Sequence, residues 1–495
     1  MLSAQIPAAK IPAAKTWTGQ FRIGRQASRE PGFRALPVIG GWQVSAAESC
    51  PTQAIIDRAG RPIGYLIGIA IDHQGGKLQE GRLRMDWPAD ATAREAAIEQ
   101  AIYKFGGSWA CVFAVDGFER VYLDADGTLS LVYDPAQQAA ASTAGLLLDD
   151  DAYRARFNTG LYTTLDVPGE GWFPSGLTAH SGVKRLLCNH YLDLASFEPR
   201  RHWPIREFTH AGDLEASAAR VSEIVRKQAE ALLNRGRVVV ALTGGNETRF
   251  LLAAYKPIIK DLTFVTVEAP ATVRDVVIAS NLAEKFGLKH FLLPVQEATE
   301  AERAAWHYAT GHCVSGPNMV THPTIRPLAR DYDFFLGGLG GEIGRAFFWR
   351  PTDTPETQIG SAELLPRFGM PPAAEVADAT EQWLEGVAGY DAYTKLDLAY
   401  LELRMSAWSA AQTYAQAFVN HLHPLITREI YALMLDLPPD AKRGNLLIKT
   451  AIRQSWPELG GIPINRFGDY RDMLHTMLRA SDHKRVAKKL RKLFG

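Results

Sequence analysis

The feature that most constrains the fold is a set of short, nearly all-apolar segments that alternate with longer amphipathic ones in the second half of the chain. They read VVVAL, LTFVTVE, HFLLPV and DFFLGG and begin at residues 238, 262, 290 and 333. Strands that lack apolar–polar alternation are buried on both faces, and parallel strands need helical crossovers between them. The sequence therefore predicts an α/β unit with a doubly wound parallel sheet, preceded by a helix over about 213–234 and followed by a mostly helical part.

The first half of the chain has a different pattern. Short β-prone runs such as YLIGIAI and WACVFAV are separated by Gly/Asp turns. Asp124-Ala125-Asp126-Gly127 lies between two such runs and lacks the further oxygen ligands of a calcium loop, so it predicts a hairpin turn. The polar stretch 196–213 predicts a linker, which divides the chain into domains 1–205 and 206–495, and the Pro/Thr-rich stretch 350–375 predicts a surface loop.

Composition excludes several classes of function. Lys+Arg and Asp+Glu balance at 54 each, so no global field favours a nucleic-acid partner. No apolar stretch approaches the ~18–20 residues of a membrane span, and the N-terminus lacks the apolar core of a secretory signal. The four cysteines are widely separated, which is typical of free thiols in a reducing compartment. We expect a cytoplasmic protein without a transmembrane segment.

Two of the predicted strands end in glycine-rich turns. Thr243-Gly244-Gly245-Asn246-Glu247-Thr248-Arg249 follows the first strand, and Gly337-Gly338-Leu339-Gly340-Gly341-Glu342 follows the last. Ligands of parallel sheets bind beyond the carboxyl ends of the strands, and bare N–H groups where a helix begins suit a phosphate or pyrophosphate. Each turn also carries a glutamate, which would repel phosphate unless a cation lies between them. Mg²⁺ is usually held in this way.

Other phosphate motifs fit less well. The stretch from Gly444 to Thr450 has the spacing of a Walker loop, but Ile448 replaces the glycine before the lysine. The stretch 338–344 has the glycines of a dinucleotide fingerprint, but no strand with a terminal acidic residue follows it.

The first turn resembles the SGGxDS pyrophosphate loop of the N-type ATP pyrophosphatases, and in particular the synthetase domain of the asparagine synthetase family. The second turn is similar to that family's GEGSDE loop, and the segment from Asp275 to His290 is similar to its Asp-plus-helix segment. Lys449-Thr450-Ala451-Ile452-Arg453 resembles its Lys-x-x-Leu-Arg. In outline the resemblance spans most of the chain, and Gly107–Gly127 is similar to the sandwich core of the family's glutaminase domain.

The resemblance implies an N-terminal Ntn-hydrolase-like β-sandwich, an ATP-pyrophosphatase domain, and ATP and Mg²⁺ as cofactors. It assigns Mg²⁺ to Glu247 and Glu342, and the amide-forming step to Lys449. On residue type alone, Lys449 would more commonly be a surface lysine of a helix, and only its position in the family pattern makes the two roles comparable. The resemblance assigns ATP or its pyrophosphate to a larger set: Leu242, Thr243, Gly244, Gly245, Thr248, Val267, Gly338, Leu339 and Gly340.

Two departures from the family pattern bear on function. Glutamate replaces aspartate at both metal positions, which keeps the carboxylate and adds about 1.5 Å of reach. Because both positions change in the same way, the replacement favours a working metal site with altered spacing over a site that has lost its function. Leu2 stands where glutamine-using members carry their nucleophilic cysteine, so the first domain is expected to lack glutaminase activity. A chain that keeps the adenylating domain but lacks glutaminase activity resembles the β-lactam synthetases and the lasso peptide cyclases.

The expected function is therefore an ATP-dependent ligase that adenylates a carboxylate and transfers the acyl group to an amine. Its substrate would be a small molecule or peptide carrying both groups, with a precursor-processing protein as a partner. Two alternatives remain: an amidotransferase that uses free ammonia or a separate nitrogen donor, and a non-catalytic homologue that binds nucleotide or a partner.

Two further features are weaker candidates. His307, His312, Cys313 and His322 form a loose group whose spacing matches no common zinc site, and ordinary buried histidines are the simpler interpretation. Residues 483–494 predict a basic amphipathic helix that packs its apolar side on the protein or docks on a membrane or an anionic partner.

Overall fold

The structure, a computed structural model, describes residues 11–12, 15–314, 316–415 and 418–472. These residues mix helices with three β-sheets, one of which is wholly parallel. The predicted basic helix over 483–494 and most of the N-terminal arm lie outside them. No helix among these residues combines the length and the apolar character that a bilayer crossing requires.

The strands of the first half are β1 Phe21–Gly24, β2 Phe33–Ala35, β3 Gln43–Ala47, β4 Thr52–Ile56, β5 Pro62–Asp72, β6 Lys77–Leu78, β7 Leu83–Arg84, β8 Phe105–Val115, β9 Phe118–Leu123, β10 Val132–Asp134, β11 Ala139–Ala141, β12 Lys184–Arg185, β13 His190–Asp193 and β14 Glu198–Arg201. One sheet has the order β12-β10-β11-β1-β3-β2. The other has the order β14-β13-β9-β8-β5-β4-β7, with β6 paired to β5.

The strands of the second half are β15 Val238–Ala241, β16 Thr263–Glu268, β17 His290–Pro294, β18 Phe334–Leu336 and β19 Asn420–Leu422. The helices are α1 Ala91–Tyr103, α2 Asp150–Ala155, α3 Thr159–Thr164, α4 Leu214–Leu233, α5 Asn246–Ala254, α6 Val273–Phe286, α7 Glu300–Ala309, α8 Pro317–Thr321, α9 Leu328–Asp331, α10 Ser361–Phe368, α11 Ala374–Glu385, α12 Ala392–Ala399, α13 Ser406–Ala415, α14 Arg428–Leu435, α15 Pro439–Arg443 and α16 Leu446–Ser455. A π-helical stretch, Tyr400–Met405, joins α12 to α13.

The first two sheets pack face to face. Along β8 the side chains alternate, because successive residues of a strand point to opposite faces. Ala110 and Val112 belong to the core shared with the neighbouring sheet, together with Phe21 of β1. Trp109 and Phe113 belong to a separate core that also contains Ile98 and Ile102 of α1. The first half is thus layered as sheet, sheet and helix.

The turn at 124–127 joins the two packed sheets and is not the predicted hairpin. The strand before it, β9, belongs to one sheet, and β10 after it belongs to the other. The buried carboxylate of Asp124 accepts hydrogen bonds from the N–H groups of Trp109 and Asp126 and from the hydroxyl of Thr128. A local pattern of turn residues does not distinguish a hairpin from a crossing between sheets, because both need the same backbone reversal.

The predicted parallel sheet is confirmed, with strand order β17-β16-β15-β18-β19. Val239 of β15 lies opposite Thr263 of β16 on one side and opposite Phe335 of β18 on the other. The chain therefore adds strands first on one side of β15 and then on the other. Strand β19 was not predicted, since Asn420-His421-Leu422 is short and mostly polar and is a strand only because β18 pairs with it.

The helix predicted over about 213–234 is confirmed as α4. Asp213 caps it by accepting a hydrogen bond from the N–H of Ala216, and its buried face includes Val221 and Ile224. The predicted loop at 350–375 is wrong in part, because α10 lies within it and contains Pro366. Leu364 and Leu365 of α10 are buried, so tertiary packing overrides the composition of this stretch.

Buried polar contacts connect the two halves. Arg428 of α14 is fully buried and donates from Nη2 to the carbonyl oxygens of Leu123 and Cys188 in the first half. Arg201 of β14 forms a two-bond ion pair with the buried Glu402 of the π-helical stretch. Breaking one partner of such a pair leaves an uncompensated buried charge, so these contacts fix the relative placement of their elements.

Candidate functional site

The two glycine-rich turns lie side by side at one edge of the parallel sheet. The first glycine loop, residues 243–245, follows β15 and leads into α5, and the second glycine loop, residues 337–340, follows β18. Strands β15 and β18 are direct neighbours, and the strand order reverses between them. A crevice forms at such a switch point, where the connections leave in opposite directions.

The first glycine loop is closed by its own side chains. The hydroxyl groups of Thr243 and Thr248 lie 2.9 Å apart, and the N–H of Gly245 donates to Oγ1 of Thr243 at 3.1 Å. The N–H of Gly244 donates to Oδ1 of Asp275 at 2.9 Å. The expectation of bare N–H groups is therefore wrong for this loop, since side-chain oxygens satisfy these donors. An anion would have to replace those oxygens.

The second glycine loop is also satisfied internally. The N–H of Leu339 points at Nδ1 of His423, 3.4 Å away, and the N–H of Gly340 donates to Oε2 of Glu342 at 3.2 Å. Gly340 has φ 107°, which strongly favours glycine. A single 3₁₀ turn, Gly341–Arg345, follows instead of the predicted helix. Its dipole is correspondingly small, because few aligned peptides contribute to it.

The backbone that follows β18 lies against Glu247 of the first turn, and this close approach requires glycine at two positions. A Cβ added at Gly338 would lie 3.0 Å from Cβ of Glu247, and one added at Gly341 would lie 2.7 Å from Cγ of Glu247. The stem of Glu247 therefore rests directly on the backbone that follows β18. This contact fixes the glutamate of the first turn against the second.

The two glutamates meet at one guanidinium. Nη2 of Arg345 lies 2.9 Å from Oε1 of Glu247 and 3.1 Å from Oε1 of Glu342. The contact with Glu342 is a hydrogen bond, whereas Oε1 of Glu247 is buried and has no hydrogen-bond partner among the described residues. Arg345 thus supplies positive charge at the point where the two carboxylates converge.

Burial and the neighbouring negative charge of Glu342 together raise the pKa of Glu247 to about 7, against the opposing effect of Arg345. The group accordingly takes up or loses a proton near neutral pH. A carboxylate whose pKa is raised by burial and by a second carboxylate is a common feature of sites that hold a cation.

The carboxylates fit Mg²⁺ only together with a ligand. Among the described residues, no cluster of three or more His, Cys, Asp or Glu side chains is arranged to hold a metal ion. Mg²⁺ typically binds one or two carboxylates and takes its remaining oxygens from water and substrate phosphates. The buried, unbonded Oε1 of Glu247 beside Glu342 provides such a pair.

The other predicted residues differ in accessibility. Leu242 is only 1% exposed, and its side chain lies in the hydrophobic core. Val267 is half-buried near the end of β16 and is therefore the more accessible of the two residues assigned to adenosine. Lys449 is exposed on α16, and its Nζ donates to the carbonyl of Gly444 at 2.8 Å. Within the described residues no ion pair joins it to Glu247 or Glu342. Its catalytic role stays a prediction.

The C-terminal segment supports the first glycine loop in a way that the sequence did not indicate. The N–H of Asn465 donates to the carbonyl of Gly244, and the amide of Asn445 donates to the side chain of Asn246. Arg249 is fully buried and donates to the carbonyl oxygens of Leu459 and Ile462. Arginine directly after the turn was the available signal, since a buried arginine must find acceptors.

Arg345 and Asp275 are the main residues that sequence reasoning missed. The segment containing Asp275 had been noted only for its resemblance to a family segment, and its carboxylate caps the first loop. Arg345 comes three residues after Glu342, the spacing that brings two side chains of a helical turn together. The contact of Arg345 with Glu247 and that of Asp275 with Gly244 cannot be derived without knowing that β15, β16 and β18 are neighbours.

The rings of the loose histidine group are divided between two stacks. His307 and His312 stack with ring centroids 5.0 Å apart, whereas His322 stacks on Phe418. Burial lowers the pKa of His307 to about 4 and holds that of His312 well below its usual value, so both rings are neutral. The simpler interpretation, ordinary buried histidines, agrees with these contacts.

The four cysteines are shielded from solvent. Cys50, Cys111, Cys188 and Cys313 are all buried and unpaired. Burial raises the pKa of the Cys50 thiol to about 12 and raises those of Cys111 and Cys188 as well. A thiol attacks as thiolate, so these groups are inert at neutral pH.

The sequence matches no model of a known protein family, and a search of curated proteins likewise gave no match.

Proposed function

We propose that this protein is an ATP-dependent ligase that forms an amide bond and releases AMP and pyrophosphate. The observation that carries the proposal is the meeting of Glu247 and Glu342 at the carboxyl ends of two adjacent parallel strands, each next to a glycine loop. The resemblance of these loops to those of the asparagine synthetase family supports the same chemistry.

The proposed reaction has two steps. A carboxylate oxygen of the acid attacks the α-phosphorus of ATP, the bond from that phosphorus to the bridging oxygen breaks, and pyrophosphate leaves. The nitrogen of the amine then attacks the acyl carbon, loses a proton and expels AMP. Mg²⁺, held by Glu247 and Glu342, would supply positive charge to the phosphate oxygens when bound.

The residues of the chain have distinct parts in this scheme. Pyrophosphate would lie against the first glycine loop and take the N–H donors of Gly244 and Gly245 from Asp275 and Thr243. Arg345 would move from the two glutamates toward the phosphates once a metal replaces its charge. Lys449 would stabilise the negative oxygen that forms when the amine attacks.

The packed sheets of the first half support an Ntn-hydrolase-like origin for that domain, and the buried, unpaired cysteines support the loss of glutaminase activity. An amine belonging to the substrate would then be the acceptor, as in a β-lactam synthetase or a lasso peptide cyclase. A precursor-processing protein would be a fitting partner for a peptide substrate.

The test is the identity of the nucleotide product. The full-length protein is incubated with ATP, Mg²⁺, a panel of short peptides bearing aspartate or glutamate side chains, and hydroxylamine as a general amine. We expect AMP, pyrophosphate and a hydroxamate. ADP and phosphate as the products would contradict the pyrophosphatase chemistry. Formation of the primary amide at a comparable rate when ammonium replaces hydroxylamine would favour the amidotransferase alternative.

A second candidate is nucleotide binding without catalysis. The observation that favours it is Arg345, which already neutralises the paired carboxylates without a metal. In that case ATP would bind with the same affinity with and without Mg²⁺. The proposed ligase requires a clear gain in ATP affinity when Mg²⁺ is added, and calorimetric titration of ATP under both conditions separates the two.

A further inference from the structure

Arg404 carries a guanidinium that faces aromatic rings and no anion. Its Cζ lies 5.3 Å from the ring centroid of Trp172, 5.2 Å from that of Phe347 and 5.7 Å from that of Tyr400. The side chain is partly exposed, and among the described residues no carboxylate or carbonyl forms an ion pair or hydrogen bond with its guanidinium. We call these four side chains the Arg404 recess.

The backbone fixes the geometry of the Arg404 recess. Tyr400 and Arg404 both lie on the π-helical stretch between α12 and α13. Such π turns are rare in proteins, and those that occur are often at functional sites. The indole N–H of Trp172 donates to the carbonyl of Leu403 at 2.8 Å, which fixes the orientation of that ring. The rings of Phe347 and Tyr400 are 4.7 Å apart. Trp172 and Tyr400 are therefore each held by a contact of their own beside the guanidinium.

The Arg404 recess adjoins the paired glutamates. The same Phe347 ring that faces Arg404 also lies 5.7 Å from the guanidinium of Arg345, which contacts Glu247 and Glu342. Phe347 is 42% exposed, so part of the ring is open to solvent between the two arginines. A ligand in the recess would lie next to the phosphate-binding edge of the sheet.

A second arginine near aromatic rings differs from Arg404 in its hydrogen bonds. Arg443 faces the rings of Trp349 and Tyr393, but its guanidinium donates to the carbonyl oxygens of Arg350 and Asp353. Stacking on rings alone therefore does not explain Arg404. A partly desolvated guanidinium with unused donors is suited to a planar anion, which it binds through two parallel hydrogen bonds.

We propose that Arg404 binds the carboxylate group of the acid substrate and that the exposed part of the Phe347 ring accepts the apolar flank next to that carboxylate. This inference rests on the proposed ligase function and names its substrate class: carboxylates attached to an apolar or aromatic group.

The test measures binding and does not depend on turnover. The full-length protein is titrated calorimetrically with phenylacetate, with its neutral isostere phenylacetamide and with acetate. We expect phenylacetate to bind, and Arg404→Gln to weaken it roughly 10- to 100-fold, the usual effect of losing hydrogen bonds to a charged group. Arg404→Lys should fall between, and Phe347→Ala should weaken phenylacetate more than acetate.

Arg25→Gln is the matched control, because Arg25 is exposed and stacks on Trp42 at 3.7 Å in the other part of the chain. It should bind phenylacetate like the unaltered protein. The inference is overturned if the unaltered protein does not bind phenylacetate at millimolar concentration, if phenylacetamide binds equally well, or if Arg404→Gln and Phe347→Ala both leave binding unchanged. Phenylacetate binding without AMP formation from any acid would instead contradict the ligase and leave the recess an anion site.

Discussion

Replacing Glu247 with glutamine should stabilise the ligand-free protein at alkaline pH while it abolishes turnover. The pKa of about 7 in the folded state lies above the usual glutamate value of 4.5, so between these values the folded state binds more protons than the unfolded state. Stability therefore falls as pH rises from 4.5 to 7. The shift corresponds to about 3 kcal/mol of destabilisation once the group is charged, at about 1.4 kcal/mol per pH unit.

Glutamine removes that charge and keeps the shape of the side chain. At pH 8 the free energy of unfolding of Glu247→Gln should exceed that of the unaltered protein by about 3 kcal/mol, and at pH 5 by less than about 1 kcal/mol. ATP-dependent amide formation should fall by orders of magnitude, because one of the two proposed metal ligands is lost.

The assay is urea unfolding at pH 5 and at pH 8, without ATP, together with turnover at pH 8. Glu268→Gln is a suitable control, since Glu268 is an exposed glutamate on the neighbouring β16. A stability difference that is the same at both pH values would refute the reasoning about burial. Near-normal turnover of the variant would refute the assignment of the metal site.

Three further outcomes are expected. Lys449→Met should slow amide formation about 10²–10³-fold and leave pyrophosphate exchange with the acid alone nearly unchanged. An equal loss of both activities would indicate that the lysine binds ATP, and no loss of either would indicate a surface lysine without a catalytic role. Gly341→Ala should lower the free energy of unfolding by about 1–3 kcal/mol and displace Glu247, because the added Cβ would lie 2.7 Å from Cγ of Glu247. Gly389→Ala is the control and should be neutral, because a Cβ added there would have no atom within 4 Å. Acid should destabilise the fold between about pH 6.5 and 4, because burial lowers the pKa of His180 to about 3 and those of His307 and His423 to about 4. The unfolded state then binds protons that the folded state excludes, at up to about 1.4 kcal/mol per pH unit for each histidine, which opposes and outweighs the effect of Glu247. An unfolding midpoint that does not change between pH 7.5 and 5 would contradict this.

The local pattern of the sequence determined the elements of the parallel sheet. Buried strands must be apolar on both faces, and β15 to β18 therefore stand out from the helices between them. The glycines after β15 and β18 determined where the backbone turns tightly. Because the carboxyl ends of parallel strands share one edge, the residues of both glycine loops could be named in advance.

Tertiary structure alone decided which groups meet at that edge. That β18 pairs with β15 brings Glu247 and Glu342 to the same guanidinium of Arg345, and that β16 lies on the other side brings Asp275 to the N–H of Gly244. It also decided that Trp172 of the first half faces Arg404 of the second. These contacts join residues far apart in the chain, and periodicity and turn chemistry describe only the few residues around each position. Which distant elements pack together depends on the sum of many buried contacts, and no short stretch of the sequence encodes that sum.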